Sequence, residues 1–295
     1  MPLLCLPTEL VICIAENFEL ASDILRLATT NNQLFCILLP VLYRFNVQQQ
    51  NSSALLWSAK SGNPKVAETM IHEYKADVSA VHEHNTPLIW AAIHGSVSVV
   101  KILLRAPGIS VNFRNHKRET ALWWAANHGY TSIVEELLRE KDIEIDCQDT
   151  SYGLTPLAAA ACYGHAEITR QLLATGRVDI HKQNRLHQTP IFLAILNRNE
   201  EVMQTLLDEK ALDLACQDNV GRNLLSVAAL KGQISVVKTL LRKGVAVNTV
   251  DHQGQSGSIH RLSLREATVL PNHFLLPLRE DVLRLLGYCS TTDLT

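Results

Sequence analysis

The sequence predicts an all-α solenoid of about six to seven helix-turn-helix units, preceded by a small three-helix module. Three observations carry this expectation. A unit beginning with Thr or its equivalent recurs at steps of 33, 34, 35, 34 and 34 residues, from Ser53-Ala54-Leu55 through Thr86-Pro87-Leu88, Thr120-Ala121-Leu122, Thr155-Pro156-Leu157 and Thr189-Pro190-Ile191 to Asn223-Leu224-Leu225. Nine residues after each start stands a glycine in five of six copies (Gly62, Gly95, Gly129, Gly164 and Gly232), with Arg198 as the exception. A second apolar helix follows the glycine, as in Val99-Val100-x-x-Leu103-Leu104, Ile133-Val134-x-x-Leu137-Leu138 and Val236-Val237-x-x-Leu240-Leu241.

Each unit therefore reads as a short helix, a glycine able to take positive φ at its end, a longer amphipathic helix and a polar turn. The alanine pairs Ala91-Ala92, Ala125-Ala126, Ala160-Ala161 and Ala228-Ala229 let the short helices approach closely. A single unit cannot bury its own apolar face, so neighbours must stack and share a core.

On these residues the chain resembles the ankyrin family over roughly residues 48 to 255. The turn signatures Asp218-x-x-Gly221 and Val247-Asn248-x-x-Asp251-x-x-Gly254 agree with that resemblance. One departure is systematic: the histidine usual in the family after Thr-Pro-Leu is replaced by Leu56, Ile89, Trp123, Ala158, Phe192 and Ser226. The family's histidine hydrogen-bond network is therefore not expected.

Residues 6–46 follow another pattern, Leu6-Pro7-Thr8-Glu9-Leu10, Ile14, Asp23-Ile24-Leu25-x-Leu27, Thr30 and Leu39-Pro40-x-Leu42-Tyr43. Pro7 and Pro40 suit helix starts, and Leu10 and Ile14 share a helical face, which predicts three short helices. About 40 residues hide little apolar surface unaided, so such a module leans on a neighbour or a partner. The stretch resembles an F-box. The resemblance implies docking onto the Skp-type adaptor of a cullin-RING ubiquitin ligase through Leu6, Pro7, Leu10, Ile14, Leu25 and Leu27. The alternative is a helical cap shielding the first repeat. The expected organisation is an F-box-like module over 1–46, repeats over 47–255 and a degenerate C-terminal repeat or cap with a tail over 256–295. In that last stretch Gly257-Ser258-Ile259-His260 breaks the short-helix motif, while Glu280–Gly287 looks like a displaced second helix.

Composition narrows the function. Lys plus Arg number 27 and Asp plus Glu 29, for a net charge of -2, which gives no global pull toward nucleic acid or anionic membrane. The seven cysteines are scattered without a Cys-x-x-Cys pair, which points to reduced thiols in the cytoplasm or nucleus. Met1-Pro2-Leu3-Leu4 is followed by Glu9 and Glu16, so no secretory signal is expected. No stretch reaches the roughly 18 uninterrupted apolar residues of a membrane span.

Twelve histidines invite a metal hypothesis. His82, His84, His116, His187 and His252 fall in the turns, and His94 and His128 occupy one place beside the helix-ending glycine. Repetition explains this recurrence, because copies about 10 Å apart along a stack do not share a coordination sphere. No metal, no cofactor and no catalytic residues are expected, since no Gly-x-Ser-x-Gly, phosphate-cradling loop, His-Glu-x-x-His or kinase-like set is present. The acid pairs Glu135-Glu136 and Glu200-Glu201 read as solvated faces of outer helices. Trp57, Trp90 and Trp124 share one place in the unit and are expected to face the core. Trp123 lies one residue earlier, where spacing leaves its exposure open.

The ankyrin resemblance further implies that turn tips and the outer side of the short helices form a concave protein-binding groove. It maps here to His82, Glu83, Asn85, His94, His116, Lys117, Glu119, His128, Tyr152, Tyr163, Arg185, Arg222 and Lys231. Taken with the F-box resemblance, this implies a substrate receptor, joined to a Skp-type adaptor at one end and to an unidentified target protein in the groove. A plain ankyrin scaffold is the alternative.

Overall fold

In the computed structural model, residues 53–245 are described, together with 38, 40–44 and 47. Leu6, Pro7, Leu10, Ile14, Leu25 and Leu27 lie outside the described residues, as does 256–295. Among the described residues, Ser53 to Arg242 forms six helix pairs. The chain divides into two compact units, 1–150 and 151–295. In the first, α1 (Ser53–Ser61) pairs with α2 (Pro64–His72), α3 (Pro87–Ile93) with α4 (Val97–Arg105), and α5 (Ala121–His128) with α6 (Thr131–Leu138). In the second, α7 (Pro156–Tyr163) pairs with α8 (Ala166–Ala174), α9 (Pro190–Leu196) with α10 (Glu200–Leu207), and α11 (Leu224–Leu230) with α12 (Ile234–Arg242). Within each unit short helices pack on short helices, α1 on α3 on α5 and α7 on α9 on α11.

Five of the six unit starts read from the sequence are N-caps. Thr86, Thr120, Thr155 and Asn223 each accept a hydrogen bond from the backbone N–H three residues on, and proline opens α3 and α7. Thr189 has the same extended backbone but makes no cap bond, its hydroxyl lying 3.4 Å from the Cys216 sulfur. The caps give a graded expectation. Thr155→Ala, which loses a 3.1 Å bond from the Ala158 N–H, should lower unfolding free energy by about 1 kcal/mol. Thr189→Ala should cost less, and urea denaturation of the two variants compares them directly.

Except for α2, the second helices bury residues at i, i+1 and i+4, such as Val99, Val100 and Leu103 in α4 or Val236, Val237 and Leu240 in α12, which is one helical face. The short helices bury the position three after the cap, where Leu56, Ile89, Trp123, Ala158, Phe192 and Ser226 are all buried. The place where the family keeps a histidine is thus a core position in this chain, filled by apolar side chains in five copies and by Ser226, bonded to the Asn223 carbonyl, in the sixth.

Two backbone details show why the glycine recurs. Gly95 has φ 71, and a Cβ there would stand 2.8 Å from the Tyr130 ring of the next repeat. The exception, Arg198, takes the same left-handed conformation with φ 62 despite its side chain. That conformation costs about 1 kcal/mol for a non-glycine residue, and a 2.6 Å hydrogen bond from Arg198 Nη2 to the Lys231 carbonyl offsets part of it.

Ahead of the first repeat, residues 40–44 are helical, Leu38 and Val41 are buried, and the Tyr43 ring meets Tyr74 edge-on at 5.5 Å.

Candidate protein-binding surface

The turns between repeats are built on a recurring polar side chain. Asn115 Oδ1 accepts from the Lys117 and Glu119 N–H groups at 2.9 Å each. Asn184 Oδ1 does the same with Leu186 and Gln188, and Asp218 Oδ1 with Val220 and Arg222. Each side chain replaces two backbone partners that a tight turn leaves unpaired, so the tip is held rigid and projecting. The sequence signal was present in the spacing of Asn115, Asp149, Asn184 and Asp218, but it reads as ordinary turn composition until the bonds are seen.

This network corrects two of the sequence assignments. Asn85 and Glu119 were expected in the groove but are 8% and 5% exposed. Asn115 Nδ2 donates to Asn85 Oδ1 at 3.0 Å and to Glu119 Oε2 at 2.9 Å, which ties one turn to the next. Their polar atoms face inward because the turn has no other way to satisfy them. Arg222 is also committed, donating from Nε to the fully buried Asp218 carboxylate at 2.7 Å.

The remaining groove residues of the first unit, His82, Glu83, His94, His116, Lys117 and His128, are exposed. The His84 and His116 rings lie 4.5 Å apart, so the tips of consecutive repeats touch. In the second unit Tyr152 is 66% exposed, Tyr163 and Arg185 are exposed, and Lys231 is half-buried. Leu186 and Val220, not foreseen from the sequence, add exposed apolar surface at those tips.

The tryptophans depart from expectation. Trp57 is 55% exposed, and Trp90 and Trp124 are half-buried, while Trp123 is the one that enters the core. On the exposed side the rings organise their neighbours. Lys60 Nζ sits 3.7 Å from the Trp90 ring centroid while pairing with Glu83 at 3.1 Å. Trp90 Nε1 donates to the His82 carbonyl at 3.3 Å, which joins the short-helix face to its turn tip. His94 stacks on Trp90, and His128 stacks on both Trp124 and Tyr130. His128 Nδ1 is 3.1 Å from the Trp124 carbonyl, so that nitrogen carries the proton. The acids of the outer helices are paired: Glu136 with Lys101 and Arg139, and Arg170 with Glu167 and Glu201.

Among the described residues no group of three or more His, Cys, Asp or Glu is placed to hold a metal, and no helix is long and apolar enough to cross a membrane. Burial, and then its 2.9 Å hydrogen bond to the Glu144 carboxylate, push the Cys147 thiol up to about 11. Arg114 pairs with the same carboxylate. At pH 8 the native Cys147 should therefore resist iodoacetamide and become alkylated only on unfolding, as peptide mass spectrometry would show. The sign for stability follows from the raised value. The contribution is present below the ordinary thiol range and is lost as pH climbs from that range toward about 11, because the unfolded thiol ionises first.

The geometry of paired helices, projecting turns and a shared short-helix face agrees with known proteins. The family profile described as ankyrin repeats (3 copies) matches residues 25–115, 107–184 and 171–251. The rat nuclear factor NF-kappa-B p105 subunit is 32% identical over 110 residues, 36% of this chain but 11% of that protein. The fowlpox virus ankyrin repeat protein FPV223 is 31% identical over 112 residues, 38% of this chain and 77% of its own length. The crystal structure of the ankyrin repeat domain of Bcl-3 superposes with a TM-score of 0.61 at 22% identity, covering 69% of this chain and 91% of that one, a likeness of fold alone. The fold, the repeat spacing and the family match agree, and the chain belongs to the ankyrin-repeat family.

Proposed function

We propose that the exposed short-helix and turn-tip faces hold a target protein, and that the segment preceding the repeats couples it to the Skp-type adaptor of an SCF-type cullin-RING ubiquitin ligase. Ankyrin repeats are protein-interaction modules. The observation that supports target binding is the exposed aromatic face of the first unit, where Trp57, Trp90 and Trp124 recur at one place on packed helices. Large aromatic side chains are typical anchors of protein interfaces. The ligase half rests on Leu6-Pro7-Thr8-Glu9-Leu10 and the residues at F-box spacing behind it, Ile14, Leu25 and Leu27. The mechanism is proximity: a tethered target meets the charged conjugating enzyme at raised effective concentration, and no catalytic residue is needed in this chain. The working compartment in this reading is the cytoplasm or nucleus.

A second reading, an ankyrin scaffold without a ubiquitin link, is favoured by the buried Leu38 and Val41, the Tyr43–Tyr74 contact, and a family match that begins at residue 25. One experiment separates them. In the ligase reading the full chain binds purified Skp-type adaptor at micromolar concentration, and Leu6→Ala with Pro7→Ala abolishes this while leaving thermal melting unchanged. In the scaffold reading no adaptor binds, and the double variant melts earlier because apolar contacts onto the first repeat are lost.

A further inference from the structure

We infer that the target face of the first unit takes an extended acidic segment of its partner, with apolar side chains near every third residue seated on Trp57, Trp90 and Trp124. The inference rests on the target-binding half of the reading above and names the chemistry of that same face.

Net charge differs across the described part of this unit: the short helices and tips carry three Lys/Arg against two carboxylates, and the rest of residues 53–150 carries seven against ten. Its described short helices and turn tips, residues 53–61, 82–95 and 116–129, contain two carboxylates, Glu83 and Glu119. Glu119 is buried and bonded to Asn115, and Glu83 is held by Lys60, whose hydrogen bond keeps its carboxyl below the usual range. The face therefore offers no unpaired exposed carboxylate, whereas Lys117 and Arg118 project from the tip and five histidines line it. The other acids among residues 53–150 stand on the second helices and the loops after them, for example Glu68, Glu135, Asp142 and Glu144. An acidic chain is therefore favoured on this face over the rest of the described unit, which is net acidic although many of its carboxylates are paired.

Arg118 strengthens the case. It is held at φ 60, in the tip position where His84 and His187 also stand at positive φ and where a later repeat has Gly221. A side chain in that conformation is disfavoured relative to glycine, so the local backbone gives no reason for arginine.

The spacing sets the shape of the occupant. Packed helices stand about 8–10 Å apart, and an extended chain advances about 3.3 Å per residue, so one repeat matches about three residues. The exposed Trp57 and the half-buried Trp90 and Trp124, at one place on α1, α3 and α5, then meet side chains at i, i+3 and i+6. Lys60 and His94 against the Trp90 ring, and His128 against Trp124, are part of the same contact surface.

Selection of a displayed random dodecapeptide library on the full chain tests this. Enriched peptides are expected to be net acidic with apolar residues three apart, and to lose affinity as salt rises. Lys117→Glu with Arg118→Glu should weaken a selected peptide by about tenfold or more, as should Trp90→Ala. Arg118→Gly suits the left-handed backbone and should weaken binding with melting unchanged or raised, which separates lost binding from lost fold. Enrichment of neutral or basic peptides, no enrichment at all, or affinity indifferent to both charge variants would overturn the inference. Adaptor binding is measured apart, so either reading can fail while the other stands.

Discussion

Phe192→Ala should destabilise the second unit by about 3–5 kcal/mol, the largest single effect expected among the described residues. Its ring is 0% exposed and lies in one apolar cluster with Ala161, Ile191, Ile195, Val202, Leu206 and Leu225. Those neighbours come from four helices, α7, α9, α10 and α11, so the ring ties adjacent repeats together. Truncation removes the transfer free energy of the ring and leaves a cavity that the surrounding helices cannot close without breaking their own packing. Urea denaturation followed by far-UV circular dichroism should show an earlier loss of helix. If Phe192→Leu recovers most of the loss, volume in this slot is what matters. If Phe192→His does so, the slot still accepts the side chain usual in the family, and the description of it as purely apolar fails.

Asn115→Ala should cost about 2–3 kcal/mol, with its effect at the turns of the first unit. The substitution deletes acceptance from two backbone N–H groups and donation to Asn85 and Glu119. The deeper penalty comes from the partners left behind. The Glu119 carboxylate is buried, and without Asn115 it loses a donor that compensates its desolvation. The tip that presents His116, Lys117 and Arg118 would loosen, so hydrogen exchange at the Lys117 and Glu119 amides should accelerate before global unfolding. Asn115→Asp keeps the acceptor Oδ1 but places a second carboxylate beside Glu119, and it should remain destabilised.

Much of the fold was legible in the sequence. The six starts Ser53, Thr86, Thr120, Thr155, Thr189 and Asn223 stand at the starts of short helices, and four of them make a capping bond, a local event between a side chain and an amide three residues away. Spacing also placed the second helices, whose buried faces repeat at i, i+1 and i+4 in all but α2. The site was less legible. His82, His116 and Lys117 stand exposed as expected, but Asn85 and Glu119 turned inward, and Lys60 and Arg118 joined the face without having been singled out. Composition marks a turn as polar, but which polar side chain satisfies the backbone and which projects depends on hydrogen bonds across the turn.

The sequence by itself determined the repeat frame, its period, most of its caps and the pairing of two helices per unit, since these follow from local propensity and periodicity; the second helix is the longer in four of the six pairs and equal in the other two. Tertiary structure decided between two adjacent columns of the short helix. Positions three and four after the cap are both apolar in most copies, and lie about 100° apart around the axis, so periodicity over seven to nine residues cannot rank them. Stacking ranks them. The third position points between repeats and is buried in every copy, whereas the fourth is buried as Ala159, Leu193 and Val227 in the second unit but carries the exposed Trp57 and half-buried Trp90 and Trp124 in the first. A small or aliphatic side chain is covered there by its neighbours, while an indole is too large to be covered and becomes surface.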